Sequence, residues 1–422
     1  MTRVLRVVPV GDPLDLMEPL RRALANSDDA VMPVPGPDPE TGAPTVPGVG
    51  VGVGVGADRD PARVPRQVAV VIETSGSTAR PKRVMLSTDA LLSSAAASSG
   101  RLGGPGQWLL ALPAHYVAGV QVLVRSLAAG TTPVVLPAGH FDPAVFAAHA
   151  DLLTDPSRFT SVVPVQLARL VTAAADDRFL RATLRRFTGI LVGGQALPPG
   201  LFERARELDL NLITTYGSSE TAGGCVYNGI PIGNTEVRSV AGQLEISGSV
   251  LAEGYLDDPE LTRDRFVDVR GVRWYRTGDL GEVDDATGVV RVLGRMDNVI
   301  ISGGEKVSLD AVERIVRALP GLGEAQVVGV DDPQWGQVPV IVRDGAAGAG
   351  TGPGADPAAL ARAGEAVASV LGRAARPARI VTVSAIPHLA SGKPDRQALG
   401  RLLDDLRGAG EPGHERGHEP GR

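Results

Sequence analysis

Cysteine is almost absent. Cys225 stands alone in 422 residues, which excludes an intrachain disulfide and a cysteine-built metal cluster. Long unbroken apolar runs are missing too: the longest apolar region, Trp108 to Leu136, is interrupted by Pro113, His115, Arg125 and Pro133, so no membrane span is expected. The first residues, MTRVLRVVPVGDPLDL, lack the apolar stretch of a signal peptide. Nor is positive charge in excess. A net charge of −6 argues against a partner that is a nucleic-acid polymer, which usually meets a basic stripe. It leaves room for a nucleotide, because local donors can hold phosphate on an acidic protein. A cytoplasmic, reducing location is the simplest reading of these absences.

What is present is a globular composition, 43% hydrophobic and 21% charged, long enough for two or three domains. Glycine and proline gather in three segments. Residues 34–66 contain PGPDPETGAP and the repeat VGVGVGVG; glycine at every second position packs poorly in a strand, so a flexible low-complexity insertion is expected there. DGAAGAGTGPGADP (344–357) reads as a connection between a strand and a helix. The tail 408–422 has no apolar face and is expected to be disordered, with His414 and His418 solvated on it.

Between these segments, short apolar runs at 68–72, 108–112, 132–137, 160–164 and 189–194 read as buried strands. Helices are expected at 88–99, 143–153, 165–175 and 199–208, the second started by Asp142-Pro143. Alternation of this kind predicts an α/β body with buried, largely parallel sheet flanked by helices. After about residue 235 short strands and turns take over. A smaller α+β unit follows, with a helix at 308–319 (Leu309, Val312, Val316 and Leu319 on one face), the strand pair EAQVVGV and VPVIVRD, and a last helix at 395–407. The expected domains are 1–294 and 295–407.

Five segments carry candidate chemistry. VIETSGSTARPKRVMLS (71–87) turns an apolar strand into a loop of Thr74, Ser75, Gly76, Ser77 and Thr78, followed by Lys82; such a run can curl its N–H groups around an anion. Its spacing is not that of a Walker loop. TTYGSSETAGG (214–224) places the ring of Tyr216, able to stack on a base, near Glu220, a carboxylate able to hold Mg²⁺. WYRTGDLGEV (274–283) offers Asp279 in a turn, suited to two ribose hydroxyls. LGRMDNVIISGGEKV (293–307) carries Arg295, a donor for phosphate or ribose oxygens. IPHLASGKPDRQAL (386–399) presents Lys393 in a glycine turn. Each alone is compatible with an ordinary turn; the five in this order are not.

Taken together they resemble the superfamily of adenylate-forming enzymes, over roughly residues 68–407. The resemblance implies a large N-terminal α/β domain and a small mobile C-terminal α+β lid. It implies ATP, Mg²⁺ and coenzyme A, and a reaction in which a carboxylic acid becomes an acyl-adenylate and then a thioester. By the same resemblance the loop Thr74 to Thr78 and Lys82 would wrap the β- and γ-phosphates, with Thr78 taking part in catalysis. Gly193, Gly194 and Gln195 would line the adenine, Tyr216 would stack on it, and Gly217 and Ser219 would complete that motif. Glu220 would hold Mg²⁺, Asp279 the ribose, and Arg295 the ribose or α-phosphate. Lys393 would neutralise the pentavalent phosphorus. Asp297 would be the hinge about which the lid turns, bringing Ser302, Gly303 and Gly304 against the pantetheine tunnel. The acyl pocket would draw on His115, Tyr116, Val163 and Ser218, with Gly193 at its edge.

The chain departs from that pattern at four points. The usual T-G-x-P-K-G reads Thr78-Ala79-Arg80-Pro81-Lys82-Arg83, Ser219 replaces a threonine, Tyr116 stands where a gating motif has histidine, and the region before the phosphate loop is short. The short N-terminal region, LPAHYVAGVQVLVRSLAAG (112–130), FTSVVPVQLARL (159–170) and DNVIISGGEKV (297–307) resemble o-succinylbenzoate–CoA ligases of menaquinone biosynthesis. The competing readings are another acyl- or aryl-CoA ligase, or a module that serves a carrier protein in trans, since no carrier-type domain follows residue 407. A silent nucleotide-binding protein would show by loss of Lys393, Glu220 or Asp279; all three are present. A homodimer is left open.

Overall fold

The computed structural model describes residues 1–36, 62–74, 81–345, 352–353, 356–388 and 394–408. The chain divides into two compact units, Met1–Val292 and Leu293–Arg422.

The centre of the first unit is a seven-stranded sheet. Strands Val134–Val135, Gln107–Leu110, Arg158–Val162, Gly189–Val192 and Leu212–Ser218 lie side by side in that order, all parallel. Gly223–Tyr227 and Ile230–Pro231 extend the edge antiparallel. The runs are continuous in apolar character because both faces are covered; Gly189–Val192 is buried at every residue. The helices between them start where local chemistry dictates. Asp142 caps Pro143–Ala150 by accepting from the amides of Ala144 (2.6 Å) and Val145 (3.4 Å), and Pro164 opens Pro164–Asp176.

One helix gives no periodic signal. Val117–Ala129 is buried almost continuously from Gly119 to Ser126, so it has no polar face to show a 3.6-residue rhythm. It packs against the helices Met17–Leu24 and Thr88–Arg101 and against Gln107–Leu110, and ends at Gly130, where φ is 67°. Helix Arg178–Arg185, capped by Asp177, is a second element outside the sequence reading.

A six-stranded sheet carries the segment around the phosphate loop, in the order Gly254–Tyr255, Lys82–Ser87, Val68–Thr74, Ala30–Pro35, Thr2–Val10, Arg63–Pro65. The insertion expected over 34–66 is therefore shorter than the sequence suggested. Val34 and Pro35 continue a strand paired with Pro9 and Val10, and Arg63–Pro65 pairs with Thr2 to Val4, burying Val64 completely. Val34 and Val64 have neighbouring strands to pair with, which outweighs the low-complexity composition around them; the repeat itself lies outside the described residues. A third, antiparallel sheet joins Glu236–Val240, Gln243–Ser247, Val272–Val283 and Phe266–Val269. There the buried Glu245 is held by Arg238 (2.6 Å) and Arg276 (3.3 Å).

The second unit packs helices Leu309–Arg317, Pro357–Leu371 and Arg396–Gly408 on a mixed sheet whose long strands are Gln326–Asp332, Gly336–Asp344 and Arg379–Val383. Leu309, Val312 and Val316 enter its core, with Leu319 packed against it. Gln326–Asp332 and Gly336–Asp344 form the antiparallel pair read from the sequence. Among the described residues no helix is long and apolar enough to cross a membrane.

The first turn of Val117–Ala129 lies so close to the preceding loop that a Cβ on Gly119 would stand 2.2 Å from the carbonyl oxygen of Pro113. Gly119→Ala is expected to cost about 1–3 kcal/mol, read as a lower thermal midpoint, because the backbone on both sides must move. An unchanged midpoint would show that the helix start is free to shift.

Candidate active site

In an open parallel sheet, ligands bind outside the carboxyl ends of the strands where the chain reverses its order of addition. Here the chain runs from Gln107–Leu110 outward to Val134–Val135, then returns to add Arg158–Val162 on the other side. The reversal lies between the ends of Gln107–Leu110 and Arg158–Val162. Those two ends lead into the segments holding His115, Tyr116 and Val163. Gln166 ties them together: its amide nitrogen donates to the carbonyl of Ala111 at 3.0 Å and its oxygen accepts from the amide of Val163 at 3.0 Å. His115 and Tyr116 pack ring to ring, 4.3 Å between centroids, and His115 Nε2 is buried with no hydrogen-bond partner among the described residues. Burial alone pushes the imidazole down to about 4 and the Tyr116 phenol up.

The next two strand ends bring the remaining segments. Gly193 follows Gly189–Val192 and packs so near Leu212–Ser218 that a Cβ there would lie 2.3 Å from Thr215 Oγ1; Gly194 has φ of 82°. The pairing slips between Tyr216 and Gly217, which face Val226 and Gly224. Gly217 is needed there, because a Cβ would stand 2.1 Å from the carbonyl oxygen of Gly223. Ser218 follows, its buried hydroxyl without a partner among the described residues, then Ser219, Glu220 and Thr221 in a single tight turn, all three buried.

Two phenols bind the other sheets to this strand end. Tyr216 donates to Asp279 Oδ2 at 2.7 Å, and Asp279 is itself held by its amide donating to Thr277 Oγ1 at 2.9 Å. Tyr255 donates to Glu220 Oε1 at 2.9 Å, while the amide of Ala252 donates to the carbonyl of Glu220 at 2.8 Å. Desolvation, reinforced by the neighbouring carboxylate, pushes both phenols well above their ordinary value, so each remains a donor. Tyr255 also pairs with Val84, and Lys82 Nζ lies 6.0 Å from its ring. Thr74 faces Lys82 across the hairpin, its hydroxyl donating to the Lys82 carbonyl at 3.4 Å. Arg83, in the position of a family glycine, pairs across the same hairpin with Glu73 at 3.2 Å. An extended strand has no need of glycine there, and the ion pair accounts for the arginine. Ser75, Gly76, Ser77, Thr78, Ala79 and Arg80 lie outside the described residues.

In the second unit, Arg295 is engaged in a two-pronged contact with Asp297, both bonds 3.0 Å, and its amide donates to Asp310 Oδ2 at 2.7 Å. Ser302, Gly303 and Gly304 form the turn between Val299–Ser302 and Glu305–Ser308, with φ of 57° at Gly303 and 85° at Gly304. Trp335 lies against that turn: its carbonyl accepts from the Gly303 amide at 2.8 Å, and a Cβ on Gly303 would strike its ring. Lys393 lies outside the described residues, but its flanks are anchored. His388 and Pro394 bridge, the amide of Asp395 donates to the carbonyl of Pro387 at 2.8 Å, and Arg396 pairs with Asp310 at 2.7 Å.

Tyr255 and Gln166 have no place in the sequence reading. Tyr255 meets Glu220 across 35 positions, a separation that no local pattern reveals. Asp279 lies within strand Val272–Val283 and not in the turn read from the sequence; Gly278, with φ of 76°, kinks the strand so that the Asp279 amide reaches Thr277 Oγ1.

The AMP-binding enzyme family model matches residues 12–256, and the model for the AMP-binding enzyme C-terminal domain matches 311–393. The chain belongs to the AMP-binding enzyme family, the adenylate-forming class. It is 36% identical over 400 residues to a probable 2-succinylbenzoate–CoA ligase of Mycobacterium tuberculosis, covering 93% of this chain and 97% of that one. It is 32% identical over 364 residues to the 2-succinylbenzoate–CoA ligase of Geobacillus kaustophilus, covering 80% of this chain and 70% of the relative. Among solved structures, o-succinylbenzoate CoA synthetase (MenE) from Bacillus subtilis in complex with the acyl-adenylate intermediate OSB-AMP superposes with a TM-score of 0.65. Identity there is 25%, over 79% of this chain and 69% of that one.

His115 makes stability depend on pH. The folded protein keeps this imidazole neutral down to about 4, whereas the unfolded chain takes up a proton near the ordinary 6.5. The unfolded state therefore binds more protons in between, and stability present above about pH 6.5 is lost as pH falls towards 4. His115→Asn is expected to shrink the fall in thermal midpoint across that window. Parallel curves for wild type and variant would mean that the imidazole is protonated in the fold.

Proposed function

We propose that the protein is an ATP-dependent acid–thiol ligase that converts o-succinylbenzoate to o-succinylbenzoyl-CoA through an enzyme-bound acyl-adenylate. The observation that carries this reading is the gathering of the His115, Val163, Gly193 and Tyr216–Glu220 segments at neighbouring strand ends around one reversal of sheet order. The near-full-length likeness to a probable 2-succinylbenzoate–CoA ligase supports the choice of acid. In the first half-reaction a carboxylate oxygen of the acid attacks the α-phosphorus of ATP, and the bond to the bridging oxygen breaks to release pyrophosphate. In the second, the thiol sulfur of CoA attacks the acyl carbon, the carbon–oxygen bond to AMP breaks, and the thiol proton passes to solvent.

The residues serve positioning and charge stabilisation rather than covalent chemistry. Tyr216 offers its ring to the adenine. Its hydroxyl, together with Thr277, aims Asp279 at the ribose. Thr74 to Thr78 and Lys82 take the β- and γ-phosphates, and Gly193 to Gln195 border the base. Glu220 is the residue for Mg²⁺. Among the described residues no cluster of three or more metal-ligating side chains exists, and a lone carboxylate fits an ion that keeps waters and shares phosphate oxygens. Bound there, the ion would supply charge neutralisation on the phosphates; the Tyr255 hydroxyl, donating to Oε1, fixes the carboxylate in place. His115, Tyr116, Val163 and Ser218 line the acid. Because His115 is neutral, that wall offers apolar and hydrogen-bonding contact rather than charge. The second unit acts as the mobile lid, pivoting at Asp297, with Lys393 serving adenylation and the Ser302-Gly303-Gly304 turn serving thioester formation. ATP and CoA are cosubstrates of the cytoplasm, and the reaction belongs there.

AMP and acyl-CoA formation should be measured with o-succinylbenzoate, benzoate, a medium-chain fatty acid and acetate. Turnover confined to o-succinylbenzoate is expected; preference for another acid would keep the mechanism and overturn the substrate. Lys393→Ala is expected to slow adenylation by about 10²–10³-fold while CoA attack on supplied acyl-adenylate stays near wild type. Equal loss of both steps would overturn the division of labour in the lid.

A further inference from the structure

The same sheet has a second opening at its other end. Helices Thr88–Arg101 and Val117–Ala129, with the amino-terminal ends of Gln107–Leu110 and Arg158–Val162, enclose a cavity of about 390 Å³. Its walls are the apolar side chains of Leu92, Ala95, Leu102, Trp108 and Phe159, and none of its lining residues is acidic. One strong charge lines it, Arg125.

Arg125 is 7% exposed, and among the described residues it has no carboxylate partner. Its guanidinium lies over the Trp108 ring, 4.8 Å from the centroid, and one terminal nitrogen donates to the Tyr227 hydroxyl at 3.3 Å. Among the described residues its buried Nε has no hydrogen-bond partner. A buried cation without a counter-ion is strongly destabilising, and a ring face and one phenol only partly offset that. An anion would complete the balance, and a planar carboxylate matches the guanidinium fork. The remaining walls, apolar apart from Ser99, favour an apolar body of modest size, in the range of small-ligand cavities. We propose that this cavity binds an apolar monocarboxylate, its head on Arg125 and its body along the Trp108–Phe159 wall. A dianion is disfavoured because the lining offers no second cation for its other charge. None of the residues assigned to ATP or the acid substrate takes part, so this site stands or falls apart from the proposed reaction.

The test is calorimetric titration of the full-length protein with octanoate, phenylacetate, octanol and o-succinylbenzoate. The first two separate an aliphatic source of the carboxylate from an aromatic one. The active-site acid pocket is a competing location for the same probes, so Val163→Trp, which blocks that pocket, is titrated alongside. At least one of the two monocarboxylates is expected to bind wild type and Val163→Trp equally. Arg125→Met should weaken it by about tenfold or more while leaving octanol unchanged. Ala96→Phe, which narrows the cavity and keeps the arginine, should weaken acid and alcohol alike. Undiminished binding to folded Arg125→Met or Ala96→Phe, loss in Val163→Trp alone, tighter binding of the dianion, or no binding of either monocarboxylate to wild type would each overturn the proposal. Should Arg125→Met fail to fold, Ala96→Phe carries the decision.

Discussion

Two phenol-to-carboxylate hydrogen bonds hold the first unit's site in register. Tyr216 on Asp279 and Tyr255 on Glu220 join three separate sheets at one strand end. Bonds of this type to a charged group are worth about 1.5–3 kcal/mol each when dry. Their larger effect is geometric. The hairpin that leads into the phosphate loop, the strand that bears Asp279 and the buried turn at Glu220 come from distant parts of the chain, and these bonds fix their spacing before any ligand arrives. That order is set during folding and does not have to be supplied by binding energy.

The second unit is organised around a different acidic residue. Asp310 accepts from the Arg295 amide, the Asn298 amide group and Arg396, each at 2.7 Å. It thereby fastens the chain entering the unit to the helix that follows Lys393. Beside it, buried Glu313 accepts from the Val327 amide at 3.0 Å and pairs with Arg317 at 3.1 Å. Desolvation still leaves its pKa raised. The two units thus each carry their own polar hub, consistent with elements that keep their internal shape.

Much of the fold was legible because strands buried on both faces read as plain apolar runs, and because caps such as Asp142-Pro143 declare a helix start. Val117–Ala129 escaped because burial on all sides removes the very periodicity by which helices are recognised. Val64 escaped for the opposite reason: a buried apolar residue sat inside a composition that signals disorder, and only its pairing with Arg3 reveals the strand. In the site, residues within one short segment, such as Tyr216 and Glu220, could be read together. Tyr255 and Glu220 could not, since what joins them is sheet order rather than spacing. The family pattern has a glycine where Arg83 stands in this chain, and that exchange became intelligible only once Glu73 was found opposite it.

The placement of the three tryptophans has an optical consequence. Trp108 and Trp274 are buried in the first unit, each under an arginine, at 4.8 and 3.8 Å from ring centroid to guanidinium carbon. Trp335 alone belongs to the second unit, half-buried, with its indole against the glycine turn at Gly303. A fluorophore so placed reports on the polarity around that turn, so the protein carries a native emission probe at the segment assigned to the thioester step, with no label attached.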